Sequence, residues 1–265
     1  MDRIVVHAGF HKTGTTTVQA TLRANGRVLK PHLRVILRQQ MPELCDAARD
    51  WSVSRRDEDM ARFCDHAVTL ARGWDTADPR PVLLCSEDLA GRMPGRRNLC
   101  SYDATPSLMR GLVASLARTH PDADIRLFFS TRAAAPWLAS CHAQHLRAVR
   151  MTMDCWTYAE TYRASANLVQ IVDSVQSQVA PHPVSHSALE TSAGLRLGPL
   201  EPVLDLCDLP AELRGRIEPQ HPANTRHDPE TLQALLRANR KFSDSEARQN
   251  AKRAILDAAK RRNAD

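Results

Sequence analysis

The fold is decided by residues 3–16, which read RIVVHAGFHKTGTT. The apolar run at the start of this stretch is typical of a β-strand that is buried in a parallel sheet. Gly9 and Gly14 bound the segment that follows, and glycine permits the backbone conformations that a phosphate-cradling loop needs. A helix is predicted to begin near Thr15 and to direct its free N–H groups at an anion. We therefore expect a strand–loop–helix that binds the phosphates of a nucleotide.

Two more apolar runs end in polar segments, at residues 81–85 (PVLLC) and 124–130 (DIRLFFS). Helical patterns lie between and after these strands, marked by Leu108, Leu112, Val113 and Leu116, by a long pattern over residues 155–179, and by Leu232, Leu235 and Leu236 before a charged C-terminal helix. Strands that alternate with helices predict an α/β three-layer sandwich with a mainly parallel central sheet.

The chain of 265 residues shows no convincing domain linker, so a single domain is predicted. Its nucleotide-binding frame covers about residues 3–150, and a helical C-terminal part covers about residues 151–265. Residues 39–80 are charged and irregularly patterned, and are predicted to form helices over the C-terminal edge of the sheet.

Composition narrows the possible partners. The formal charge of +6 and the pI near 9.1 favour an anionic partner. The chain lacks the interleaved aromatic and basic residues of a single-strand binder, so no nucleic acid is expected. No stretch approaches the roughly 20 apolar residues of a membrane helix, and no secretory signal is recognised, which predicts a cytoplasmic protein with no membrane partner.

The remaining charged and sulfur-bearing residues receive structural interpretations. The seven cysteines have no paired spacing and are interpreted as mostly buried free thiols. The C-terminal basic residues are interpreted mainly as the solvated face of a last helix; they are Lys252, Arg253, Lys260, Arg261 and Arg262.

The loop departs from the ATP/GTP-binding pattern G-x-x-x-x-G-K-[ST] at one decisive position. Gly9, Gly14 and Thr16 fall in register with that pattern, but Thr15 occupies the position of its essential lysine. The only lysine of the loop is Lys12, three residues earlier. The segment is therefore not a generic P-loop.

The sequence HKTGTT after a hydrophobic strand resembles the 5′-phosphosulfate loop of the sulfotransferases that use 3′-phosphoadenosine 5′-phosphosulfate (PAPS). The resemblance covers roughly residues 3–150 and implies a P-loop-like sulfotransferase fold. It implies that Lys12 contacts the 5′-phosphate and the transferring sulfuryl group, and that no metal is required. The cofactor-binding residues that it implies in the loop are His11, Lys12, Thr13, Gly14, Thr15, Thr16 and Thr17.

The resemblance also requires a 3′-phosphate element, in which an arginine ends a strand and a serine follows eight positions later on the next helix. Arg132 ends the third predicted strand, Ser140 follows it by eight, and Pro136 suits the first turn of that helix. A guanidinium makes bidentate, charge-assisted contacts with phosphate. We therefore predict that Arg132 and Ser140 bind the 3′-phosphate.

Glu87, two residues past the second predicted strand, is the leading candidate for a general base. The alternative is that Glu87 or Asp88 only caps the following turn. His11 is another possible base, whereas His7 lies within its strand and is interpreted as a packed, hydrogen-bonded core residue. His142 and His145 share a helix face and can line an acceptor pocket, although a solvated polar face is the favoured interpretation.

Two other functions remain open at this point. A nucleoside-triphosphate-dependent kinase with a deviant loop fits the run VLLCSED, which can pass for a magnesium-binding strand end. A non-catalytic nucleotide-binding protein is the other possibility, because the sequence does not decide which residue is the general base.

The acceptor of the sulfuryl group is unidentified. A small molecule or a glycan precursor is favoured, and residues 39–80, 92–107 and 142–165 are predicted to bind it. The loop at residues 224–226 is interpreted as a helix-capping loop, with Asp228 as the N-cap.

Overall fold

The computed structural model describes residues 2–220 and 227–262. Within them, parallel strands form a five-stranded sheet in the order β2-β3-β1-β4-β5. The strands are β1 (Arg3–His7), β2 (Arg34–Leu37), β3 (Val82–Cys85), β4 (Asp124–Thr131) and β5 (Val184–Ala188). The prediction of an α/β fold with a parallel sheet is confirmed, and the predicted β1, β3 and β4 are the three central strands.

Helices connect and flank these strands. In chain order they are α1 (Thr15–Ala24), α2 (Gly26–Leu29), α3 (Pro42–Ser54), α4 (Asp57–Arg72), α5 (Thr105–Thr119), α6 (Ala134–Ala148), α7 (Cys155–Thr161), α8 (Leu168–Val179), α9 (Leu189–Ser192), α10 (Glu201–Leu206), α11 (Ala211–Gly215), α12 (Pro229–Lys241) and α13 (Ser245–Arg262). In the described part of the chain, no helix is both long and apolar enough to cross a membrane.

The sheet is buried on both faces. Val5 and Leu83 share one apolar core with Val18 and Leu22 of α1 and with residues of α10 and α11. Ile4 and Leu84 alternate with those strand residues and are equally buried. Continuous apolar strands are therefore explained by helices that cover both faces.

The chain divides into two compact units. The first comprises Met1–Ala133 and Asn167–Ala223, and the second comprises Ala134–Ala166 and Asn224–Asp265. The first unit contains the whole sheet, and the second contains α6, α7, α12 and α13. The single-domain organisation stays a prediction.

Two strands were not recognised in the sequence, because β2 is short and β5 is only partly buried. The long helical pattern over residues 155–179 is interrupted, since α7 ends at Thr161 and Asn167 begins α8 by accepting a hydrogen bond from the Gln170 backbone N–H. Residues 39–80 do form helices, as predicted, namely α3 and α4.

The interpretation of the C-terminal basic residues as a solvated face is wrong for Lys252. This side chain is buried, and its ammonium donates to the carbonyl oxygen of Val149 at 2.7 Å. Burial lowers the pKa of Lys252 to about 8. Lys252 therefore acts as a structural side chain that joins α13 to the end of α6 within the second unit.

Candidate functional site

The glycine-bounded loop lies at the carboxyl end of β1, the central strand, which is where ligands bind in open parallel sheets. Gly14 ends the loop with φ 97°. A Cβ atom at Gly14 would lie 2.9 Å from Leu189 Cδ1 and 3.1 Å from Pro199 Cγ. Glycine is therefore required there both by the left-handed backbone and by close packing.

Lys12 also has a left-handed backbone, with φ 70°. This conformation costs a residue with a Cβ about 1–2 kcal/mol. The Arg132 guanidinium donates through Nη1 to the carbonyl oxygen of Lys12 at 3.1 Å and so holds the loop in this shape. Backbone strain that is maintained by a tertiary contact is characteristic of functional loops.

The threonines of the loop differ in burial and in their hydrogen bonds. Thr13 is buried, and its hydroxyl donates to the carbonyl oxygen of Phe10 at 2.5 Å. Thr15 is buried as well, whereas Thr16 is exposed. The Thr17 backbone N–H donates to the carbonyl oxygen of Gly14 at 3.0 Å. Thr13 and Thr15 therefore shape the loop, and Thr16 presents its side chain to solvent at the start of α1.

His11 is fixed by two neighbours. Its Nδ1 lies 2.9 Å from the Tyr102 hydroxyl, which also accepts from the His11 backbone N–H at 3.2 Å. Its Nε2 lies 3.5 Å from Asp88 Oδ1. Tyr102 is buried and packs against Phe10, with their ring centroids 4.8 Å apart. These contacts anchor the loop on the side of β3.

Asp88 is the acidic side chain that contacts both His11 and the neighbouring arginines on the β3 side of the loop. Arg38 donates to its Oδ2 at 2.6 Å, and Arg49 Nε lies 3.8 Å from its Oδ1. Burial alone would raise the pKa of Asp88, but the hydrogen bond and charge of His11, the hydrogen bond of Arg38 and the charge of Arg49 lower it to about 2. Asp88 is thus an ionised carboxylate whose negative charge is compensated by the neighbouring arginines.

Glu87 lies at the start of the short 3-10 turn Glu87–Ala90 that follows β3. The cap of this turn is Ser86, whose hydroxyl accepts from the Asp88 backbone N–H at 3.2 Å, so the interpretation of Glu87 or Asp88 as the cap is wrong. Gln19 of α1 donates to Glu87 Oε2 at 2.7 Å. The Glu87 carboxylate is therefore oriented towards the helix that begins at the loop.

Arg132 follows β4 on the other side of the loop. Its Nε lies 3.8 Å from Glu190 Oε1, and Glu190 also accepts from the Ala133 backbone N–H at 3.3 Å. The Arg132 Nε is buried and makes no hydrogen bond to the described residues. Ser140 lies half-buried on α6, in the second unit, and its pairing with Arg132 stays a prediction.

No protein family, curated protein or solved structure matches the chain in three independent comparisons.

The other histidines have structural surroundings. His7 is fully buried, with Nδ1 3.2 Å from Cys85 Sγ and Nε2 2.8 Å from Ser130 Oγ, as expected of a core histidine, and burial lowers the pKa of His7 to about 4. His142 and His145 are buried beside Tyr158, so the solvated-face interpretation is wrong.

No group of three or more histidine, cysteine or acidic side chains in residues 2–220 and 227–262 is arranged to hold a metal ion. Asp228 caps α12 by accepting from the Thr231 backbone N–H at 2.8 Å, as predicted. The predicted loop at residues 224–226 lies outside the described residues. Four of the seven cysteines are buried, and all seven are free thiols, which confirms their interpretation.

Several residues of this edge were missed in the sequence. Tyr102 and Gln19 contact the predicted site from other elements, and no local pattern indicates them. Glu190 was missed because β5, which positions it, was not recognised. Asp88 had a signal, since an acidic residue after a buried strand at the correct edge can pair with the loop.

Proposed function

We propose that the chain is a sulfotransferase that moves a sulfuryl group from PAPS to a hydroxyl or amine of a small-molecule or glycan acceptor. One observation carries the proposal: Lys12, three residues before α1 begins, has a strained left-handed backbone and is held there by Arg132. A lysine in this position projects from a loop that precedes a helix N-terminus, where backbone N–H groups and the helix dipole favour an anion. In this proposal the fold is the P-loop-like three-layer sandwich of the PAPS-dependent enzymes.

The donor fits the residues that are present. The loop amides and the positive end of α1 suit the 5′-phosphosulfate, and the exposed Thr16 adds a hydroxyl donor. Arg132 suits the 3′-phosphate, because its buried Nε makes no hydrogen bond within the described residues.

The reaction is an in-line displacement. The acceptor oxygen or nitrogen forms a bond to sulfur while the bond between sulfur and the bridging oxygen of the 5′-phosphate breaks, which releases 3′-phosphoadenosine 5′-phosphate (PAP). Lys12 stabilises the charge that develops on the bridging oxygen. Glu87 accepts the proton that the acceptor loses, with its carboxylate oriented by Gln19.

A kinase is less well supported. In that alternative the magnesium-binding strand end is the run VLLCSED, which ends in Asp88. Asp88 is engaged by Arg38 and His11, which lower its pKa to about 2 and neutralise its charge. A carboxylate held in this way by cations is a poor ligand for a hard divalent ion.

Transfer from ³⁵S-labelled PAPS to a mixed panel of alcohols, phenols, amines and monosaccharides tests the proposal. Wild type should label at least one acceptor, and Lys12→Ala should lower the rate by about 100-fold or more. Glu87→Gln should lower the rate without weakening PAP binding. Lys30→Ala, which removes an exposed lysine outside the loop, is the matched control.

Equal transfer by wild type and Lys12→Ala would contradict the proposal. Tight PAP binding without transfer to any acceptor would favour a non-catalytic nucleotide-binding protein.

A further inference from the structure

A segment rich in arginine follows the turn that contains Glu87. Residues 91–99 read GRMPGRRNL and follow the turn after β3, at the edge of the sheet where the phosphate loop follows β1. The segment packs closely on α3, because a Cβ atom at Gly91, with φ 90°, would lie 2.8 Å from Ser52 Cβ. The Arg92 backbone N–H donates to the Ser52 hydroxyl at 3.1 Å.

This packing brings Arg92 beside the acidic and basic side chains of α3. Arg92 lies 3.4 Å from the carboxylate of Asp50, whereas Arg62, 3.8 Å from Asp50, is held more closely by Asp59 at 2.8 Å. Arg49 reaches Asp46 at 3.4 Å and Asp88 at 3.8 Å, but Arg38 holds both of those carboxylates more closely. Three carboxylates, those of Asp46, Asp50 and Asp88, therefore face four guanidinium groups, those of Arg38, Arg49, Arg92 and Arg96.

Arg96 has the least compensated charge of the group. Among the described residues no carboxylate lies within 4.0 Å of its guanidinium, and its buried Nε has no hydrogen-bond partner. Burial, and then the charges of Arg49 and Arg92, lower the pKa of Arg96, but an arginine remains protonated at neutral pH. Like charges that are held together in a partly buried site are stabilised by a bound anion.

We propose that Arg49, Arg92 and Arg96, named here the arginine cluster, bind an oxyanion that the sulfuryl acceptor carries in addition to its reacting hydroxyl or amine. This inference rests on the proposed function and names the class of its acceptor. Asp88 links the cluster to the phosphate loop, since it contacts both Arg49 and His11, the neighbour of Lys12.

The position of the cluster suits an acceptor better than a donor. It lies at the end of β3, whereas Arg132 follows β4, and these strands flank β1 on opposite sides. In-line displacement requires the acceptor to approach sulfur from the side opposite the leaving nucleotide. Glu87, the base of the proposed function, also follows β3.

Isothermal titration in buffer of low ionic strength, with PAP at saturation, tests the inference. The probes are glucose 6-phosphate and glucuronate, which carry a phosphate and a carboxylate, and neutral glucose is the reference. At least one charged probe should bind, and its affinity should exceed that of glucose. Arg96→Gln should weaken that binding about tenfold. Arg97→Gln, which removes the exposed neighbouring charge, should change it less than twofold.

The inference is overturned if neither charged probe binds in the presence of PAP, if both variants weaken binding equally, or if PAP displaces the probes. A parallel titration of PAP into wild type and Arg96→Gln separates this failure from that of the proposed function. Equal PAP affinity in both proteins without binding of a charged probe removes only the oxyanion site. Loss of PAP binding by wild type removes the proposed function itself and, with it, the acceptor assignment.

Discussion

The two sides of the phosphate loop differ in how their charges are satisfied. On the side of β3, Asp88 is 13% exposed and is held by Arg38 at 2.6 Å and by His11 at 3.5 Å. On the side of β4, Arg132 bonds to a backbone carbonyl, and its nearest carboxylate, Glu190, is 3.8 Å away and 45% exposed.

This difference separates a structural charge from one that is available to a ligand. Asp88 is satisfied inside the protein, so a ligand has little to gain from it. Arg132 shapes the loop while part of its guanidinium lacks a partner among the described residues. Buried donors without partners are costly, and an anion that bonds to them recovers that cost. The predictions below test this contrast, from the largest expected effect to the smallest.

His7 joins the two sides, because its ring contacts Cys85 at the end of β3 and Ser130 near the end of β4. Its pKa is lowered by burial from 6.5 to about 4, so the folded state favours the neutral ring. The associated stability is fully present above pH 6.5 and is lost as the pH falls towards 4. The loss approaches about 3 kcal/mol.

Urea unfolding of wild type and His7→Gln at pH 7 and pH 4 measures this loss. The variant should be less sensitive to acid than wild type by that amount. His32→Gln, at an exposed position, is the control and should behave as wild type. The same acid sensitivity in His7→Gln would contradict the assignment.

Asp88→Asn should destabilise the protein by about 2 kcal/mol at pH 7, because Arg38 and Arg49 lose a charged partner. The pKa of Asp88 is lowered from 3.8 to about 2, so its contribution is present above pH 3.8 and is lost as the pH falls through 2. Asp46→Asn removes an exposed partner of the same Arg38 and should cost less than about 1 kcal/mol in the same unfolding experiment. Equal losses would show that burial does not distinguish the two acids.

The contrast between the two sides was only partly predictable from the sequence. The apolar runs of β1, β3 and β4 and the glycines of the loop carry local signals, because buried parallel strands and left-handed turns restrict residue type. The partners of His11 and Arg132 have no such signal. Through tertiary packing, Tyr102 contacts His11 from 91 residues away in the chain, and Glu190 lies beside Arg132 from 58 residues away.

Arg132→Ala should weaken PAP binding about tenfold, since a charge-assisted contact with phosphate contributes about 1.5 kcal/mol or more. Arg126→Ala is the matched control, because Arg126 lies on the same strand but pairs with Asp124 at 2.8 Å near its other end. Titration calorimetry measures both variants. If Arg126→Ala also weakened PAP binding tenfold, the loss would come from the lower net charge of the protein and not from a local contact of Arg132.

Glu190→Gln should strengthen PAP binding by about two- to fivefold. The change removes the carboxylate that competes for Arg132, and an exposed ion pair contributes about 0.2–1 kcal/mol. Glutamine retains an oxygen that can accept from the Ala133 backbone N–H. The same calorimetric titration checks the change, and weaker binding would mean that Glu190 supports the nucleotide site.

Titration of PAP and of Mg-ATP into wild type, Lys12→Ala and Lys30→Ala tests the central claim most directly. We predict that wild type and Lys30→Ala bind PAP without magnesium, that Lys12→Ala weakens this binding at least tenfold, and that Mg-ATP binds more weakly than PAP. Tight binding of Mg-ATP without binding of PAP, or equal PAP affinity in wild type and Lys12→Ala, would contradict the claim that this loop holds a phosphosulfate.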